Sequence, residues 1–495
     1  MRPLILRIAL WISVLSIGVS SAASNQPPNP GSTHHSALQS EVHSLDPLLS
    51  VETNSQLIIT NSYDGLVRWT AKDGIEPVIA THWTFSDDKR EIRFHLRPSV
   101  RFHDGSPLTA REARLHFLRI LNYKGYYSAH FENMESVAAP SASELVIRLK
   151  KPNPYFLHLL GGVAGRIVKF EKRRRVVGSG PFRPEIQDGG KRVLLMRDEK
   201  YWGPHPFVKQ IDFRVADERR ALQMTGKGEL DDLGIFSLNL KEIAELPAGR
   251  TLRQPLWATW AIGFDQRVKP LDSLAVRRGI ADKIKSADWV KRFFPDQMVA
   301  YGLLPFGMPG YVDAQQPEVP DTSVPIGGCE ATKDCRVVIE IPDFFQLSPA
   351  FAAWIQDEAR GIPGVEVSVN VAPFDSMMAR YAKGVMGAYL VSYNAEYPDP
   401  SFLLRALHSR SKSNYLGIKD SKIDEWISQA DAELDPVKRA EIFKMFNAYL
   451  TESAALIPLM HVIHTTWISA CAQGLVLSPV GEGYFDYRGI KNSCR

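Results

Sequence analysis

Residues 336–400 read RVVIEIPDFFQLSPAFAAWIQDEARGIPGVEVSVNVAPFDSMMARYAKGVMGAYLVSYNAEYPDP. Arg336 to Ile341 is a β-branched strand, and Ser348 to Arg360 is helical, with Phe351, Trp354 and Ile355 on one face. Val365 to Val371 is a second strand, Phe374 to Lys383 a second helix, and Ala388 to Ser392 a third strand. Alternating strands and helices predict βαβ units on a parallel sheet, hence an α/β fold. The third strand runs into Tyr393-Asn394-Ala395-Glu396-Tyr397-Pro398-Asp399-Pro400, an ordered polar loop. Ligands of α/β domains sit at the carboxyl ends of strands, so this loop is the first candidate for a binding site.

Outward from this core the punctuation is equally local. Gln56 to Leu66 reads as a helix and Glu91 to Leu96 as a half-buried alternating strand. Thr109 and Glu112 form a capping box, followed at helical spacing by Ala113, Phe117 and Leu121. Residues 144–149, 193–196 and 210–215 are further strands. After the loop, Ile423, Trp426, Ile427, Ala430 and Leu434 mark one amphipathic helix. Asp435-Pro436 starts another, which buries Ile442, Phe446, Tyr449 and Leu450. Leu456 to Ile468 reads as a returning strand.

The 495-residue chain is 44% hydrophobic and 23% charged, an ordinary globular composition for two to four domains. Its net charge of +4 includes Arg2 and Arg7, which precede the apolar run Ile8 to Val19. That run has the length of a signal peptide, and Ser21-Ala22-Ala23 predicts cleavage before Ser24. With residues 1–23 removed the charge is +2, so no acidic partner is required. The basic run Lys172-Arg173-Arg174-Arg175 is isolated, not the broad stripe that nucleic acid binding needs. No cysteine lies near the cleavage point, which argues against a lipoprotein anchor; residues 24–36 read as a mobile lead-in. The four cysteines fall into two local pairs, Cys329 with Cys335 and Cys471 with Cys494, and an oxidising compartment permits both disulfides.

Catalytic signatures are sparse. Gly178-Ser179-Gly180 lacks the third glycine of a dinucleotide fingerprint and the lysine of a phosphate loop, so it reads as a tight turn. His461 and His464 are three apart in a strand and point to opposite faces, which argues against a shared metal. No cofactor motif occurs, and the chain reads as a binding protein rather than an enzyme.

The order of several short motifs carries a resemblance. Leu45-Asp46-Pro47, Tyr63-Asp64-Gly65-Leu66-Val67, Glu76 to Trp83 and Phe102-His103-Asp104-Gly105-Ser106 come first. Gly178-Ser179-Gly180-Pro181-Phe182, Tyr201-Trp202-Gly203, Gly228 to Asp231, Val276-Arg277-Arg278 and Tyr397-Pro398-Asp399-Pro400 follow. Over about residues 45–470 the chain resembles the family 5 extracellular solute-binding proteins of ABC transporters, the peptide- and nickel-binding group. The resemblance implies a periplasmic binding protein-like fold (type II, cluster C): two lobes with a hinge, plus an extra domain inserted in the first lobe. Lobe I would comprise residues 37–62, 178–258 and 465–495, the extra domain 63–177, and lobe II 259–464. A monomeric periplasmic protein is implied, delivering a small ligand, foremost an oligopeptide, to ABC permease subunits of the inner membrane; a stand-alone sensor or scavenger is the alternative.

Peptide-binding members use an acidic residue of this loop to hold the ligand's ammonium, and Glu396 stands at that position, a glutamate where an aspartate is usual. Tyr393 stands where many members have a cleft-lining tryptophan, with a core aromatic as the other reading. Asn394, Trp257 and Trp260 are the remaining ligand-binding candidates, and Pro398-Asp399-Pro400 is expected to shape the loop.

Overall fold

The computed structural model describes residues 29–70, 74–128, 130–171, 175–313, 335–343, 347–383, 385–397, 399–411 and 413–493. The signal segment, Cys329, Cys494, Pro398 and residues 172–174 of the basic run lie outside them. The expected disulfide partners of Cys335 and Cys471 therefore lie outside the described residues.

The described chain builds three main bodies, each around its own sheet. The first sheet has the strand order Thr33–Leu38, Gln210–Val215, Arg192–Arg197, Phe182–Gln187. Its first pair is parallel, with Thr33 opposite Gln210 and Leu38 opposite Val215; the others are antiparallel. Thr33–Leu38 corrects the expectation of a mobile lead-in through residue 36. The segment misleads because its polar residues are inside: His34 and Ser36 are fully buried and both bond the buried Asp232, which also accepts the Tyr487 hydroxyl at 2.9 Å. These hydrogen bonds replace the apolar alternation by which a buried strand is recognised.

The second sheet is antiparallel, in the order Ala80–Phe85, Glu91–Leu96, Glu144–Leu149, Met134–Ala138. Ile92, Phe94 and Leu96 alternate into its core, as the sequence predicts. The helix Ala110–Asn122 covers it, started by the Thr109–Glu112 capping box and burying Ala113, Phe117 and Ile120. The chain enters and leaves this body beside the helix Thr53–Ser62, which starts and stops about three residues before its expected bounds because Glu52 caps it and Tyr63 is already extended. The returning Gly178-Ser179-Gly180 turn presses onto that helix end. A Cβ at Gly178 would lie 2.0 Å from the Tyr63 ring and one at Gly180 2.4 Å from the Ser62 carbonyl oxygen, so both positions require glycine.

The third sheet is six-stranded, in the order Met298–Val299, Leu456–Ser469, Gly249–Phe264, Ala388–Asn394, Arg336–Pro342, Glu366–Ala372. Arg336–Pro342 runs parallel to both Glu366–Ala372 and Ala388–Asn394, with the helices Ser348–Glu358 and Phe374–Ala382 as crossovers. The βαβ reading therefore holds, but the sheet is mixed, because Ala388–Asn394 pairs antiparallel with Gly249–Phe264. One face packs on Trp289, Phe351 and Ile355, the other on Ile423, Ile427, Phe443, Phe446 and Leu450.

Gly249–Phe264 and Leu456–Ser469 tie the first body to the third. They pair antiparallel from Gly249 opposite Ser469 to Gly263 opposite Leu456, with a register shift between Pro255 and Thr259. At one end Trp467 and Ile468 join the core of the first sheet; at the other Ala261, Ile262, Leu456 and Ile457 join the cores of the third. Among the described residues no helix is long and apolar enough to cross a membrane.

Candidate ligand-binding site

The loop after Ala388–Asn394 is held at both ends. At its start Ala395 N–H donates to the Trp257 carbonyl at 2.8 Å, and Trp257 N–H donates to the Pro479 carbonyl at 2.6 Å. At its end the buried Asp399 carboxylate accepts from Ser401 N–H at 2.9 Å and from Arg439 Nη2 at 2.8 Å, with a second bond from Arg439 Nη1. Asp399 is thus committed to shaping the loop, and Pro400 precedes the short helix Ser401–Arg405.

Between these anchors Glu396 and Tyr397 face the second body. Tyr397 stacks on Tyr155 with ring centroids 5.6 Å apart and planes 11° from parallel. It is 5% exposed and belongs to the core of that body, and Phe402 packs edge-on against His130 at 5.4 Å. Glu396 accepts a hydrogen bond from the Tyr126 hydroxyl on Oε1. Burial raises its carboxyl pKa to about 7. Tyr484, from the C-terminal segment, lies within reach of that charge: burial first, then Tyr127 and Glu396, push its phenol upward. The Tyr484 ring packs on Trp69 at 4.5 Å, and its hydroxyl accepts Val163 N–H at 3.3 Å.

Glu396 therefore stands where three parts of the chain meet, among tyrosine rings. Such a site suits an organic cation. A ligand ammonium would replace the proton that burial holds on the carboxyl, as a charge-assisted bond, and the rings would offer π faces. Among the described residues no group of three or more His, Cys, Asp or Glu could hold a metal ion.

The other candidates are placed differently. Asn394 is exposed and its Oδ1 accepts the Ser392 hydroxyl at 2.9 Å. Tyr393 is half-buried against the helical side of the third sheet, with its hydroxyl directed at Gly263, where an added Cβ would lie 3.4 Å away. This is the core-aromatic alternative. Trp257 and Trp260 join opposite faces: Trp257 is buried with Ala261 and Leu304, while Trp260 packs on Phe294 at 5.6 Å. Two strand residues three apart face opposite sides, so the pair cannot line one wall. Trp257 touches the site through its backbone. His461 and His464 likewise separate: His461 Nδ1 meets the Thr259 hydroxyl at 2.8 Å, and His464 Nε2 meets the Gly234 carbonyl at 2.7 Å. Tyr126, Tyr127, Tyr484 and Trp69 are absent from the sequence-derived set. The adjacent Tyr126-Tyr127 after a helix end was the one local signal, and nothing in the sequence says what it faces.

Comparison with known proteins adds an independent observation. Residues 74–415 match the family model described as bacterial extracellular solute-binding proteins, family 5 Middle. The chain is 22% identical over 479 residues to the probable D,D-dipeptide-binding periplasmic protein DdpA of Escherichia coli (strain K12), covering 89% of this chain and 91% of that protein. It is also 22% identical to the oligopeptide-binding protein OppA of Bacillus subtilis (strain 168), covering 90% and 91%. Among solved structures, the periplasmic binding protein DppA from Helicobacter pylori in complex with the peptide STSA superposes with a TM-score of 0.77 at 18% identity, covering 94% of this chain and 98% of that one.

Proposed function

The chain belongs to the bacterial extracellular solute-binding proteins of family 5, and from that membership we propose that it captures an oligopeptide in the periplasm for an ABC importer. The observation that carries the ligand class is Glu396, a half-buried carboxyl where three parts of the chain meet, with tyrosines as neighbours. A peptide α-ammonium is the natural counter-charge for such a group.

Closure of the two lobes about the paired strands Gly249–Phe264 and Leu456–Ser469 would bury the ligand, with the register shift at Pro255–Thr259 as the bending point. In this reading the first sheet with the C-terminal segment is lobe I, now extended to Thr33; residues 63–177 are the inserted domain; residues 259–464 are lobe II. Tyr393, Asn394, Trp257 and Trp260 are secondary to Glu396, with Trp257 setting the position of the loop. The subunit binds without making or breaking bonds, as a monomer that meets permease subunits at the inner membrane. Export through residues 1–23 and cleavage before Ser24 belong to the same proposal. So do the pairings Cys329–Cys335 and Cys471–Cys494, which peptide mapping without reductant would establish.

Native mass spectrometry of freshly purified protein tests the ligand class, because a closed cleft retains its cargo. A mass increment that fragments as a peptide is expected; a retained non-peptide, with no affinity for di- to pentapeptides in calorimetry, would remove the peptide reading. Glu396→Gln is expected to weaken peptide binding more than tenfold, about 1.4 kcal/mol or above.

A further inference from the structure

Trp69 and Tyr484 line a second, small cavity of about 80 Å³, together with Arg68, Arg166, Asp486 and Arg488. It gathers three guanidinium groups from separate parts of the chain. Two of them are matched. Arg68 Nε bonds Glu76, and Arg488 chelates Asp486 through Nε at 2.8 Å and Nη2 at 2.6 Å. The nearby buried Asp64 accepts the Tyr201 hydroxyl at 2.9 Å, and its charge is shared among Arg488, Arg166 and Arg68 without a hydrogen bond to any of them.

Arg166 is different. Its backbone is held in place: Arg166 forms a β-bridge with Gly65, where an added Cβ would lie 2.9 Å from the Gly165 carbonyl oxygen. It is 4% exposed, and it spends one nitrogen, Nη2, on the Gly161 carbonyl at 3.2 Å. Its Nε and Nη1 are buried without a hydrogen-bond partner, and so is Nη1 of Arg488. Burial and the neighbouring Arg488 lower the Arg166 pKa to about 10, so it stays cationic at neutral pH. Buried charged donors left unpaired are costly, and a small polar cavity in front of them is where an acceptor belongs. A carboxylate fits this donor set and this volume.

Tyr484 connects the cavity to the first site. Its ring forms part of the cavity wall, and its phenol lies within the field of Glu396. We propose that the cavity binds a carboxylate of the ligand, with Arg166 and Arg488 as donors, so that the cargo is a small zwitterion held by its ammonium at Glu396 and by its carboxylate here. The ligand's two ends thus rest on the reading of Glu396 above, while the carboxylate site stands on the unpaired donors alone.

The test uses the full mature protein and a defined set of di- and tripeptides, each as the free acid, the C-terminal amide and the N-acetylated acid, in calorimetry. The free acids are expected to bind the wild-type protein at least tenfold more tightly than their amides. Arg166→Gln is expected to erase that difference while leaving the loss on N-acetylation. Equal binding of acid and amide by the wild type would overturn the carboxylate site and leave the Glu396 reading standing. An independent arm needs neither a variant nor a peptide: crystals equilibrated with malonate are expected to show a carboxylate on Nε or Nη1 of Arg166. Water alone at those atoms would overturn the proposal. Malonate bound there, with no peptide bound in any form, would uphold the carboxylate site and remove the peptide.

Discussion

The hydroxyl of Tyr126 donates a hydrogen bond to Oε1 of Glu396, joining two residues 270 positions apart. The bond crosses from the loop of the six-stranded sheet to the antiparallel body, beside the stacked pair Tyr155 and Tyr397.

Burial raises the Glu396 pKa from the ordinary 4.5 to about 7. Between those values the folded protein binds more protons at this position than the unfolded chain does. The stabilising contribution is therefore complete below the unfolded pKa and is lost as pH rises through about 7. The full difference is about 3 kcal/mol. Glu396→Gln should flatten this part of the pH dependence, as urea unfolding at pH 5 and pH 8 would reveal. Identical pH slopes for wild type and variant would sink the assignment.

The same carboxyl links ligand binding to protons. The bond requires an ionised carboxylate and a protonated amine, so peptide affinity should rise from pH 6 to about pH 7.5 and fall again above about pH 8, where the peptide α-ammonium loses its own proton. Calorimetry at pH 7 in phosphate and in Tris should show the wild type releasing a fraction of a proton per ligand. Glu396→Gln should release none from this site. Equal apparent enthalpies in the two buffers, before any correction for their ionisation heats, would contradict the linkage.

Asp399 and Arg439 form a buried pair whose removal on one side strands a charge. Asp399→Ala should cost about 3–5 kcal/mol of stability, while Asp399→Leu combined with Arg439→Met should cost less than that single change. Chemical denaturation of the variants decides this. A double variant as unstable as the two single losses added together would show that the pair does not act as a unit.

Tyr397 seals the loop against the second body. Tyr397→Ala removes a 5%-exposed ring from a packed core and should cost about 3 kcal/mol. It should also weaken the contact between the two bodies, giving a larger radius of gyration in small-angle X-ray scattering without ligand. A destabilised variant with unchanged dimensions would assign Tyr397 to local packing alone.

The readings that held are local ones. The β-branched Arg336–Pro342, the helix burying Phe351, Trp354 and Ile355, and the box at Thr109 and Glu112 are each legible within a dozen residues. Their periodicity and caps act over one or two turns. The strand Thr33–Leu38 was not legible, because its buried His34 and Ser36 bond Asp232, almost 200 residues away. Trp257 and Trp260, both candidates in the sequence, lie on opposite faces of one strand and pack on different cores, which no local pattern shows.

Short ordered motifs and the period of apolar residues were enough to read the α/β class and the family and to single out Glu396 as a candidate. Only the tertiary structure decided what Glu396 meets. Tyr126 bonds it and Tyr484 comes under its charge from segments far apart in the chain, and Arg166 becomes a candidate because folding buries its Nε and Nη1 without partners. A side chain's charge state and unpaired donors are properties of its surroundings, and those are assembled only when distant segments pack together.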